Sequence, residues 1–496
     1  MVKYNEKLTT NQILVKLGRY PFYEKINSLQ ILSRKLLDDE LDILKPTYKP
    51  WELDSFLYLI LHSKEKYTPY HIPSKQWNKD FSKIMQNIRF NTDNVINDKS
   101  DLDAILTTIN LQQIDDQKRR LFFEMYRADY IFNCTEIKNT FEKLFKTSYE
   151  EISDLCFILF QMFKYEIPKI AFLSVFKKYK KSVEVLTIER DYFVEQDKLI
   201  NKTQDKYNFC FKLFRAFPFI KHHNICYIPL PHNFKYACSD SLFSRFTTFY
   251  DSKKEDDNLR QQLAICFEKY LYHILTLYYG ESKVITEQDY IKQKNPVRSA
   301  DCIVNHDNII LMFDAKLSVP NTLLYINDQE KLNSKIRQYV ECVQQMKKKI
   351  DDYGFYFNLN NFPSVSKSNI YAIIVVMQDS YILRDKIYNE YFAVEKIKED
   401  SELALYIKSH ILIMDIKDLE ESLFYGQDIC NCILEREHKK SFNNYNFSDF
   451  TEEGNHPLNE KVSKYVDKKC KRAISEIKKL QRDGLLPNLL KRITPT

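Results

Sequence analysis

Two stretches decide how this chain folds: Ser299-Ala300-Asp301-Cys302-Ile303-Val304 and Ile309-Ile310-Leu311-Met312-Phe313-Asp314-Ala315-Lys316. Both are short and apolar, and Asn305-His306-Asp307-Asn308 between them is turn chemistry. The pattern predicts a β-hairpin with strands at 300–304 and 309–316. Side chains alternate faces along a strand, so Asp314 and Lys316 point the same way, and antiparallel pairing brings Asp301 beside them. Two carboxylates and an amine then converge at one end of the hairpin. Hard oxygen ligands of this kind suit Mg2+, and a neighbouring amine can deprotonate or orient a water for attack on a phosphodiester. An Asp followed two residues later by Lys is common at strand ends. The weight here comes from the added Asp301 and the hairpin that joins it to the pair.

Working outward, helical periodicity runs upstream over 256–279 and stops at Gly280. On it Ala264, Glu268, Leu271 and Leu275 share one face, and Glu268 is the only charge among them. A carboxylate in an apolar stripe needs a partner, and a cation would be one. Downstream, a helix over 328–350 buries Leu332, Ile336, Tyr339, Val343 and Met346. Beside that stripe Lys331, Lys335 and Gln338 align where they could reach phosphate oxygens or the attacking water. A strand at 283–290, apolar strands at 370–377 and 411–416, and a helix ending at Gly426 complete an α/β module of roughly 180 residues.

The remainder divides differently. Residues 1–200 show helical spacing, clearest at 31–37, 53–61 and 141–163, with Pro46, Pro50, Pro69 and Pro73 between segments. The run Phe176-Lys177-Lys178-Tyr179-Lys180-Lys181 mixes base and aromatic, which suits nucleic acid as well as a solvated helix end. Residues 205–240 look irregular. His223, Cys226, His232 and Cys238 there could be drawn as a zinc site, though their spacing matches no strong template. From Glu460 to Thr496 there are eleven Lys/Arg against four Asp/Glu, with pairs at Lys478-Lys479 and Lys491-Arg492. The expected organisation is a mainly helical recognition or partner-binding domain at 1–240, a catalytic domain at 241–430 and a basic helical segment at 431–496.

Composition narrows the function classes. The chain has 496 residues, a net charge of +6, 44% hydrophobic residues and only 6 Gly. A packed core is therefore available, whereas collagen-like and Gly-loop architectures are not. No G-x-x-x-x-G-K-[ST] or G-x-G-x-x-G occurs, which argues against a nucleotide motor or a dinucleotide enzyme. No G-x-S-x-G occurs, so serine hydrolase chemistry has little support. Eleven Cys lie scattered without C-x-x-C pairs, and Met1–Thr10 is polar. Reduced thiols, no membrane span and a cytoplasmic location are the expectation.

Glu268, Asp301 and Asp314-Ala315-Lys316, set in helix–strand–strand–strand–helix–strand order, resemble the PD-(D/E)xK nuclease superfamily, the restriction-endonuclease-like fold. The resemblance covers about a third of the chain. It implies a mixed central sheet flanked by helices, so that with the helical N-terminal half and the basic helical tail read above, the expected fold class is α+β/α. It also implies an Mg2+-dependent (or Mn2+-dependent) endodeoxyribonuclease. Residue by residue, it implies metal ligation by Asp301, Asp314 and the Ala315 carbonyl, Lys316 as the water-activating amine and Glu268 as an accessory acid and ligand. Gln338 falls where some members carry Q-x-x-x-Y, but residue 342 is Cys here, and Ala300 stands where many members have Pro. Double-stranded DNA is the implied substrate, RNA or branched structures the alternative, and restriction or antiphage defence the implied setting. A homodimer and a separate NTPase or sensor subunit are the implied partners. A non-catalytic nucleic-acid-binding scaffold is the reading from a different class.

Overall fold

The computed structural model describes residues 8–38, 48–65, 74–93, 121–167, 169–200, 212–239, 241–243, 257–292, 295–320, 329–356, 363–426, 428–433 and 457–486. The chain divides into two compact units, one of residues 1–121, 141–249 and 468–496, the other of 122–140 and 250–467.

In the first unit the helices Thr10–Leu17, Phe22–Asp38, Pro50–His62 and Ser74–Asp93 enclose an apolar core containing Ile13, Leu29, Phe56, Ile60 and Ile84. Pro50 opens its helix where no N–H is needed, and Glu52 turns back to accept from the Lys49 amide at 2.9 Å. The apolar run 141–163, expected as one helix, is two: Thr135–Phe145 and Tyr149–Lys164. Lys146 breaks it by adopting φ 57°, and Ser148 caps the second helix by accepting from the Glu151 amide at 3.1 Å. Periodicity survives such a break because both helices bury the same kind of face.

The first unit also holds a small sheet where helix and irregular chain were expected. β1 (Thr187–Glu189) pairs parallel with β2 (Phe219–His222), which pairs antiparallel with β3 (Ile225–Tyr227). Strands of three or four residues are too short for alternation to register. The basic-aromatic run is partly spent on packing. Phe176 lies edge-on to Phe219 at 5.4 Å, Tyr179 is buried, and Lys178 pairs with Glu476. The helix Pro457–Arg482 carries the basic segment, yet its Lys469 binds Asp154 at 2.7 Å and its Arg472 pairs with Glu150. Lys478 and Lys479 stay exposed, while Lys491-Arg492 lie outside the described residues.

The second unit is mixed α/β. After the helix Asp257–Tyr279, Gly280 takes φ 88°, which only glycine adopts freely, and turns the chain into β4 (Val284–Thr286). The strand expected at 283–290 is thus split. β5 (Asp289–Lys292) leaves to form a separate ribbon with β6 (Asn295–Arg298). β7 (Cys302–His306) and β8 (Ile309–Lys316) form the expected hairpin, two residues later in its first strand than predicted. Asp307 and Asn308 make the tip with φ 50° and 65°, left-handed at both positions as a two-residue hairpin loop requires. The register sets His306 against Ile309 and Cys302 against Phe313.

β9 (Ile370–Val376) and β10 (Ile411–Asp415) extend the sheet in parallel, giving the order β10-β9-β8-β7-β4. Every residue of β9 is buried, as expected for an interior parallel strand. The long helix runs over Gln329–Tyr356, six residues past its predicted end, and packs on β9. Helices Arg384–Glu395 and Glu402–His410, which periodicity did not signal, precede β10, and Ile416–Phe424 follows it.

The helix Leu121–Phe132 contributes two charges to this unit. Arg127 binds Glu420 at 2.5 Å with both side chains fully buried, and Lys417 binds Glu124 at 3.1 Å. Tyr270 adds a hydrogen bond to the other Glu420 oxygen at 2.6 Å. The spacing is i, i+3 on both helices, so two opposite pairs close in one step.

Candidate active site

The hairpin brings Asp301, Asp314 and Lys316 together. Asp301 lies one step beyond the last paired residue of β7, opposite Asp314, and its Oδ2 accepts from the Ala315 amide at 2.7 Å. Asp314 is fully buried, and its Oδ1 receives the Asp301 amide at 3.4 Å. Lys316, two residues along the same face of β8, sets its Nζ 2.8 Å from Asp314 Oδ2.

A second amine completes the set. Lys349 reaches Asp314 Oδ1 at 2.6 Å from the long helix, and Gln345, one turn earlier, accepts from Lys316 Nζ at 3.3 Å. Neither residue was singled out by sequence. Gln338 is exposed two turns before Gln345, and no hydrogen bond from it to the cluster is described. Lys335 is also turned away: it is buried and donates to Ser318 Oγ at 2.5 Å. The helix does face the hairpin with a polar stripe, but two turns beyond the expected one. Gln338, Cys342, Gln345 and Lys349 are spaced at 0, 4, 7 and 11, which was the available signal.

The electrostatics are asymmetric. Burial alone would raise Asp314, but Lys349 and Lys316 outweigh it and hold the carboxyl below its ordinary range. Burial, then the charges of Asp314 and Glu268, push Asp301 up to about 7. Glu268, half-buried on the Asp257–Tyr279 helix, is raised by burial, then by Glu287 and Asp314. For Lys316, burial lowers the amine, and Asp314 more than offsets this and lifts it above its ordinary value. Lys316 is therefore a proton-bearing partner of Asp314 in this arrangement.

The oxygens of Asp301 and Asp314 are donors of the hard kind that Mg2+ and Mn2+ take. Asp301 and Asp314 offer oxygens of opposite disposition, one carboxyl neutralised by two amines and the other left at the threshold of ionisation for want of positive charge. Asp301, Asp314 and Glu268 are not among the described groups whose ligand atoms all lie within 4.8 Å of one another. The zinc pattern of the first unit is not assembled. His232 Nδ1 is bonded to Ser33 Oγ at 2.8 Å, and Cys238 Sγ donates to the Phe234 carbonyl at 3.3 Å. His223 groups instead with Glu65 and His222. There Arg190 already bonds His222 Nε2 at 2.9 Å, which opposes a cation at the same nitrogen.

No described helix is long and apolar enough to cross a membrane. No family model, curated protein or solved structure matches this chain.

Proposed function

We propose that the second unit is a metal-dependent phosphodiesterase of the PD-(D/E)xK, restriction-endonuclease-like kind, cutting nucleic acid and DNA by preference. The observation that carries the reading is the meeting of Asp301, Asp314 and Lys316 on one hairpin, closed by Lys349 and Gln345 from the helix behind it. Further support comes from the strand order, in which an antiparallel hairpin bearing the acids is continued by parallel strands.

Asp301, Asp314 and the Ala315 carbonyl would hold the ion, with Glu268 as an accessory acid. A bound Mg2+ or Mn2+ would supply the Lewis acidity that stabilises charge on the phosphoryl oxygens. Lys316 keeps its proton while Asp314 is its partner. Withdrawn from that carboxylate, the half-buried amine loses the charge that raises it, and burial shifts it toward the neutral form that can take a proton from an attacking water. Gln345 holds the amine in place through either state. Lys349 holds the other Asp314 oxygen and orients the carboxylate.

The test is cleavage of supercoiled plasmid, linear duplex and single-stranded RNA with Mg2+, Mn2+ or EDTA. Wild type should cut only with metal, and Lys316→Met and Asp314→Asn should each lose about 10²–10⁴-fold in rate. Cutting that survives both substitutions sinks the assignment, and the preferred polymer decides between DNA and RNA.

A further inference from the structure

The second unit holds another cluster, made of side chains that the proposed reaction does not use. Cys134, Glu136 and Cys266 present two sulfurs and a carboxylate oxygen, all within 4.8 Å of one another. Cys134 lies in the turn between the Leu121–Phe132 and Thr135–Phe145 helices, and its carbonyl accepts from the Ile137 and Lys138 amides. Glu136 follows in the first turn of the second helix, and Cys266 projects from Asp257–Tyr279. Both cysteines are free thiols, Cys266 buried and Cys134 partly so.

We infer that Cys134, Cys266 and Glu136 form a thiolate-rich site for a soft divalent cation, Zn2+ by chemistry, with one position left to water. A tetrahedron built on Zn–S distances of about 2.3 Å has edges of roughly 3.8 Å, so a small inward movement of the three ligands closes it. Cys134 sits in a turn and not within a helix. It stands at the start of the Thr135–Phe145 helix, the end that favours negative charge. On binding, each thiol releases its proton to solvent as its sulfur takes the ion, and the carboxylate releases none. Glu136 is paired with Lys269, whose side chain is 49% exposed and can swing into water when the carboxylate turns to the ion. The site would pin the turn at Cys134 to the helix that carries Glu268.

The test uses the full chain, reduced and stripped of metal, titrated with Zn2+ against a chromophoric chelator and with Co2+ as a spectroscopic probe. The expected result is one equivalent bound tightly enough to compete with the chelator, proton release, and a sulfur-to-cobalt charge-transfer band. Cys134→Ser and Cys266→Ser should each abolish the band, and the partly exposed Glu136→Gln should weaken Zn2+ binding by roughly 10–100-fold while keeping it. Circular dichroism establishes that each variant is folded, and Glu136→Gln carries the test if a serine variant is not. Asp314→Asn and His223→Ala should leave the Zn2+ affinity as in wild type. Absence of the band, Zn2+ affinity that is insensitive to all three substitutions, loss of affinity in Asp314→Asn or His223→Ala instead, or isolation of the two sulfurs as a disulfide would each overturn the assignment.

Discussion

Asp314 is bound by two lysines from different elements, and the two should differ in what their loss does. Lys349 binds the carboxylate from the long helix, so Lys349→Met is expected to lower cleavage by roughly 10–100-fold, the range for groups that orient a ligand. Gln338→Ala, on an exposed turn of the same helix, should leave the rate within about twofold of wild type in the same assay. Asp301 makes a pH prediction for the metal-free chain. Its folded value of about 7 lies above the ordinary 3.8, so between those limits the folded state binds more protons than the unfolded one. Stability therefore falls as pH rises from about 4 to about 7, by up to roughly 4 kcal/mol. Thermal melts in EDTA should give Asp301→Asn no advantage below pH 4 and its full advantage above pH 7; equal melting temperatures for the two proteins at pH 8 would contradict this. Asp301, Asp314 and Lys316 were legible because strand alternation and a short turn fix which side chains meet. Lys349 and Gln345 were not, because the turn of a long helix that faces a sheet is chosen by packing, which periodicity does not see.

At the scale of elements, the hairpin was readable to within two residues, since left-handed Asp307 and Asn308 admit one tight register. The helix break at Lys146 was not, because an apolar stripe continues on both sides of it. The paired helices Leu121–Phe132 and Ile416–Phe424 illustrate a third case. Glu124, Arg127, Lys417 and Glu420 look like surface charges in sequence, yet all four are buried in opposite pairs. Removing one member leaves its partner charged inside the fold. Arg127→Met or Glu420→Gln should each destabilise the second unit by about 3–5 kcal/mol, read from urea denaturation midpoints. Replacing Arg127 and Glu420 together with apolar side chains should recover much of that loss, because the desolvation penalty goes with them. A double variant as unstable as the worse single one would show that the packing, and not the charge, dominates.

For the whole molecule, neither unit is a continuous piece of chain. The first gathers residues from three segments and the second from two, with 122–140 interposed in the first unit's sequence. Composition carries no trace of this interleaving, since three of the four crossings fall within the helices Leu121–Phe132, Thr135–Phe145 and Pro457–Arg482. The order of synthesis then acquires meaning. Glu420 follows Arg127 by 293 residues, so at translation rates of about 5–20 residues per second it emerges roughly 15–60 s later. During that interval the Arg127 guanidinium has no carboxylate from Glu420 to receive it, and water is its cheapest solvent. The helix bearing Glu124 and Arg127 is therefore made early and buried late. Its charges serve the nascent chain as solubilising groups before they serve the finished protein as internal pairs.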